Sequence, residues 1–183
     1  MGFFGGVKKT LRDKRRDKVC ANLNSVGVDA RLAERGVREE KPSTPRWFRS
    51  LGLIEINKSP INFVHVIYIQ TRYGRHYSTL YLIYDIGVIN KAGMKARSKR
   101  VKERPIIGEV KDVVWKGDLG GSIIQCLNED KYLKQELIRA RHDVKVGTCP
   151  DINYWKIETK GYLTKQVHEK WELYEIIARH LKK

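Results

Sequence analysis

Apolar positions change period several times along the chain, and those changes mark out the elements. The densest stretch, INFVHVIYIQTRYGRHYSTLYLIYDIGVI from Ile61 to Ile89, is rich in Ile, Val, Tyr and Phe and is broken once, by TRYGRH around Gly74. β-Branched and aromatic runs on either side of a polar, glycine-containing break predict two strands joined by a turn. Along the second, Tyr81 and Ile83 fall on one parity and Leu80, Leu82, Ile86 and Val88 on the other. A strand apolar on both faces is one covered on both faces, which places this pair at the middle of a sheet.

LGLIEI (51–56), IIGEVKDVVW (106–115), DVKVG (143–147) and INYWKIE (152–158) read as further strands. The glycine-rich turn KGDLGGS leads into SIIQCLNEDKYLKQELIRARH. There Ile123, Ile124 and Leu127 predict one short helix and Tyr132, Leu133, Leu137 and Ile138 a second, with Asn128 as the cap between them. Near the C-terminus Val167, Trp171, Tyr174, Ala178 and Leu181 form a single helical stripe that Thr164 can cap. Near the N-terminus Phe4, Val7, Leu11 and, less well, Val19 share a stripe opposite Lys and Arg, the pattern of a basic amphipathic helix. The stretch after it is ambiguous: Asp29–Arg35 as a short helix closed by Gly36, or Val28–Leu32 as an edge strand. REEKPSTPRW, with Pro42 and Pro45, reads as a linker. The expected fold is α+β: a mainly antiparallel sheet of about five to six strands with the C-terminal helix packed on it and the basic helix at the N-terminus. Helix and linker take residues 1–46, and a single α+β domain takes 47–183.

Charge changes this picture more than composition does. Lys and Arg number 37 against 21 Asp and Glu in 183 residues, a formal net charge of +16. Residues 1–50 carry 13 basic against 6 acidic side chains, and residues 90–104 carry 7 against 1. An excess concentrated in two places points to polyanion-binding surfaces rather than to a general device for solubility. Three dispersed cysteines, Cys20, Cys126 and Cys149, make neither a disulfide framework nor a zinc knuckle, so a reducing, cytoplasmic setting is expected. No apolar run is long enough to cross a membrane as a helix, and MGFFGG lacks the apolar core of a signal peptide.

The basic stretch after Ile89, NKAGMKARSKRVKER, shows no apolar period and reads as a long loop between strands. Lys91, Lys95, Arg97, Lys99, Arg100, Lys102 and Arg104 make it a dense electropositive patch. Arg72, Tyr73 and Arg75, with His76 and Tyr77, add guanidinium and aromatic planes of the kind that stack on unpaired bases. The leading expectation is a non-enzymatic polyanion-binding protein that holds nucleic acid mainly by its phosphates. An anionic membrane surface is the alternative partner, engaged by Phe3, Phe4, Lys8, Lys9, Arg12, Arg15 and Arg16 of the basic helix.

Three other motifs invite chemistry. KGDLGGS offers backbone N–H groups at a helix start but lacks the lysine of a phosphate loop, and its Asp118 opposes an anion. His168-Glu169-Lys170-Trp171-Glu172 has Glu172 where the second histidine of a zinc-binding H-E-x-x-H would stand. Glu109-Val110-Lys111 puts an acid and a lysine on one strand face, with Asp85 near the end of the preceding strand. An acid followed by E-x-K on a strand resembles the PD-(D/E)xK nuclease superfamily. That resemblance implies Asp85 and Glu109 as Mg²⁺ ligands and Lys111 as the group assisting the attacking water. Otherwise no cofactor is expected, and Glu109/Lys111 is an i,i+2 ion pair on a solvated strand.

Overall fold

The computed structural model describes residues 3–40, 48–70, 76–85, 93–104, 108–140, 143–149, 154–161 and 167–182, with backbone alone at 3–13, 48–49, 68–70, 76–85 and 160–161. In chain order the elements are α1 (Phe3–Ser25), β1 (Ala30–Leu32), β2 (Phe48–Ile56), β3 (Phe63–Gln70), β4 (His76–Asp85), β5 (Lys95–Lys102) and β6 (Val110–Asp118). They continue as α2 (Gly121–Glu129), α3 (Lys131–Ala140), β7 (Lys145–Cys149), β8 (Tyr154–Gly161) and α4 (Trp171–Leu181). The strands form one antiparallel sheet in the order β1-β2-β3-β4-β8-β7-β5-β6.

The α+β architecture is as expected, with eight strands among the described residues instead of five to six. One addition is β1, which resolves the ambiguous segment in favour of a strand: Ala30 pairs with Ile56 and Leu32 with Ile54. The other is β5, where a loop was expected. Its burial alternates because Ala96 and Ser98 face the core between exposed Lys95, Arg97 and Lys99. The period of two is present, but its inward positions carry small residues, which hides it from a hydrophobicity pattern.

Helices cover one face of the sheet. Val19, Cys20 and Leu23 of α1 pack over β1 and β2, while α2 and α3 lie over β6. The last helix, α4, meets β8, α2 and α3, with all five predicted stripe residues buried. Each large aliphatic or aromatic side chain taken fully out of water there contributes roughly 1.5–3 kcal/mol. Two carboxylates lock the helical layer. Asp130 accepts the Leu133 N–H at 2.9 Å to cap α3 and meets His180 Nε2 at 2.7 Å, tying in α4. Asp112 of β6 accepts from Lys134 Nζ of α3 at 3.1 Å. Asn128, expected as the cap between the helices, instead accepts the Trp115 N–H at 2.7 Å and donates to Trp115 O at 3.3 Å. It thereby closes part of the free edge of β6.

On β3, Val64 and Val66 face the helical layer while His65 and Ile67 face the opposite, outer side, and all four are buried. Strand β3 is therefore covered on both faces, while the side chains of β4, for which that cover was expected, lie outside the described residues. The outer cover of β3 is the chain after β1, where Ala33 and Val37 pack against Leu53, Ile67 and Cys149 with Phe63 and Tyr154. The boundary expected near residue 46 lies in 41–47, outside the described residues, and on its N-terminal side α1 and β1 already belong to the core and the sheet.

Candidate nucleic-acid interface

The register of the last four strands places charged side chains in two rows on the outer face. Lys156 of β8 pairs with Gly147 of β7, which pairs with Lys95 of β5, which pairs with Asp118 of β6. Two residues along, Glu158 pairs with Lys145, Lys145 with Arg97, and Arg97 with Lys116. Neighbouring strands lie about 4.8 Å apart and same-face residues about 7 Å apart along a strand, so the rows form a grid of charges. This grid lines a trough of about 810 Å³ bounded by Lys95, Arg97, Lys116, Lys145 and Lys156 as cations and Asp118 and Glu158 as anions. The inward neighbours of these residues explain why the chain turns them outward: Ala96, Trp115, Val146, Trp155 and Ile157 are all in the core.

Two of the cations are tethered. Arg97 Nη2 donates to Asp143 Oδ2 at 2.8 Å, and Lys145 Nζ stands 3.8 Å from Glu158 Oε1. Burial would raise the Asp143 carboxyl, but hydrogen bonds from Arg97 and the nearby Arg100 guanidinium outweigh it and hold the group below the usual carboxylate range. Lys95 and Lys116 carry no ion pair among the described residues. Gly147 keeps the floor open between Lys95 and Lys156, since a Cβ there would stand 3.2 Å from Met94 O and 3.9 Å from Lys156 Cε. At Gly117, with φ of 144°, a Cβ would come within 2.3 Å of Lys95 O, so the close approach of β6 to β5 needs glycine.

Of the basic residues expected to bind nucleic acid, the structure brings Lys95 and Arg97 into the trough, with exposed Lys99 next on the same parity. Arg100 lies on the other parity and donates from Nε to Asp143 Oδ1 at 3.1 Å, while Lys102 and Arg104 are exposed beyond it. Arg72, Tyr73, Arg75 and Lys91 lie outside the described residues. Lys116, Lys145 and Lys156 were missed by the reading of the sequence. Lys145 and Lys156 each lie between two buried apolar neighbours and Lys116 follows the buried Trp115, which was the available signal.

The nuclease arrangement is not assembled. Asp85 is on β4 and Lys111 on β6, with β8, β7 and β5 between them. That is four strand spacings, on the order of 19 Å. Along the strands, Asp85 pairs with Tyr154 toward the Asp118 end of β6, whereas Glu109 precedes Val110 at its other end. Carboxylates so placed do not fit one Mg²⁺. Lys111 instead stands 3.8 Å from each of Glu109 and Glu103, an exposed ion-pair cluster. At KGDLGGS, Asp118 Oδ1 already accepts the Gly120 N–H at 3.4 Å, so a carboxylate occupies that helix start. His168 and Glu172 join no metal-holding group among the described residues.

For the membrane alternative, Phe3, Phe4, Lys8, Lys9 and Arg12 lie in α1 with side chains outside the described set. Arg15 is exposed, and Arg16 is buried, its Nη1 donating to Ala33 O at 3.3 Å. Arg16 falls on the stripe of Val19, Cys20 and Leu23, so it faces the protein rather than an external surface. Among the described residues no helix is long and apolar enough to cross a membrane.

The covered half of the outer face is polar in a different way. Ser50 Oγ donates to Glu40 Oε1 at 2.7 Å, so His65 Nε2, 2.9 Å from the same hydroxyl, is the donor of that pair. Gly36 N–H donates to Glu40 Oε2 at 2.7 Å, and Arg35 Nη1 stands 3.0 Å from Oε1. Burial opposes ionisation of Glu40, but the Gly36 and Ser50 hydrogen bonds and the Arg35 charge outweigh it and hold its carboxyl low. Burial pushes His65 down to about 4 despite the Glu40 charge, which keeps the ring neutral at pH 7. No family model matches the chain, and no curated protein or solved structure matches it either.

Proposed function

We propose that this protein is a non-enzymatic nucleic-acid-binding protein that holds phosphates on the outer face of β8, β7, β5 and β6. The observation that carries this reading is the pair of cross-strand rows: five cations against two carboxylates on one rigid, concave surface. These groups sit on strands, so their spacing is set before a ligand arrives and little ordering entropy is lost on binding. Trp115 and Trp155 point into the core, so the trough itself offers cations and backbone rather than base edges, and sequence preference should be weak.

Filter binding to mixed single-stranded RNA and DNA tests the proposal. Retention should fall steeply with salt, with a log–log slope of about −2 to −4 if the trough neutralises three to five phosphates of a single strand. Flat or absent retention overturns the proposal. Sedimentation with anionic vesicles but not with nucleic acid would assign the cations to a membrane instead.

A further inference from the structure

Building on the reading of the trough as a phosphate track, we infer that Tyr154 stacks on an unpaired base, which makes the ligand a single strand. Tyr154 opens β8 two residues before Lys156, so it shares the outer face and stands about 7 Å beyond the first row of charges. That is one step along the strand from where a phosphate held between Lys156 and Lys95 would lie. Its side chain is half-buried, packs against the cluster of Leu53, Ile67 and Cys149, and is fixed further by Phe63 and Glu39. Phe63 meets it edge-on with centroids 6.3 Å apart at 74°, and its hydroxyl donates to Glu39 Oε1 at 3.2 Å. An aromatic plane already held in place loses little freedom when a base lands on it.

The charges on either side separate backbone from base. Lys156, Lys95 and Lys145 attract phosphate at one side of Tyr154. At the other, the Glu39 carboxylate repels phosphate and can accept an N–H from a base. A strand laid with its phosphates in the trough would therefore turn its bases toward the tyrosine. In a duplex the bases are stacked inside and unavailable to a ring on a sheet face, so this site selects unpaired nucleic acid.

The test compares three fluorescently labelled probes of equal length: a mixed-sequence single-stranded oligonucleotide, an abasic oligonucleotide with the same backbone, and a duplex. The full-length protein should bind the base-bearing single strand about fivefold to a hundredfold more tightly than the abasic one, the range expected for one stacked base. Tyr154→Leu, which keeps an apolar side chain against Cys149, should remove that difference, so that it binds base-bearing and abasic strands equally. Equal, salt-sensitive binding of abasic and base-bearing strands overturns the stacking site and leaves the phosphate track standing. Absence of salt-sensitive binding to any of the probes overturns both. The abasic comparison needs no variant and is decisive even if Tyr154→Leu folds poorly.

Discussion

The outer face of the sheet is two surfaces laid side by side. Over β2 and β3 the outward positions are Leu53, Phe63, His65 and Ile67, and the segment after β1 covers them. Over β8, β7, β5 and β6 the same parity carries Lys156, Lys145, Lys95, Arg97 and Lys116, and no described segment covers them. Among the described residues the inner face is mainly apolar beneath its helices, with Ser98, Thr148 and Thr159 as its buried polar residues, so the two halves share one kind of support and differ chiefly in what they present outward. One half is part of the core, with a half-buried hydrogen-bond chain running from Glu40 through Ser50 to the buried His65. The other keeps its charges at the surface, with Lys95 and Lys116 exposed and Arg97 and Lys145 beside carboxylates, an arrangement that costs little stability.

Substitutions in the covered half should therefore change stability, and those in the trough should change binding. Leu53→Ala, at a position with no solvent exposure, should lower unfolding free energy by about 2–5 kcal/mol with nucleic-acid affinity unchanged. Urea denaturation and filter binding on the same preparation check both halves of that statement. For His65, the folded-state value of about 4 lies below the ordinary 6.5, so the unfolded chain binds a proton more readily between those values. Stability should then be fully present above pH 6.5 and fall as pH drops toward 4, by about 3 kcal/mol from this group. His65→Leu should flatten that part of the pH–stability profile. Glu40→Gln weakens the bonds to Ser50, Gly36 and Arg35 together and should cost about 1–3 kcal/mol. A thermal melt unchanged from the parent protein would contradict the role given to this network. The smallest stability effect belongs to Lys95→Gln and Lys116→Gln, within about 0.5 kcal/mol for exposed sites.

Much of this division was written in the sequence, but unevenly. The central strand pair, the α4 stripe and the α+β class follow from apolar periodicity, which is local. The strand β5 was hidden because Ala96 and Ser98 fill its inward positions, and a period of small residues reads as no period. The trough was hidden for a topological reason. Lys145 and Lys156 are outward by simple alternation, yet they join Lys95 and Lys116 only because β8 and β7 insert between β4 and β5. No local pattern predicts that insertion. The same insertion sets β4, with Asp85, four strand spacings from β6, so the residues that the nuclease resemblance implied are not brought together.

We propose the bare half of the outer face as the surface that holds nucleic acid. It is tested most directly by comparing the salt dependence of single-strand binding in two matched double variants. Lys95→Gln with Lys116→Gln removes two trough cations, and Lys131→Gln with Lys182→Gln removes two exposed cations of the helical side. The trough variant's slope should become shallower by about 1 to 1.5, while the helical-side variant should keep the parent slope. Equal slopes in the two variants, or a larger change from the helical side, would contradict it.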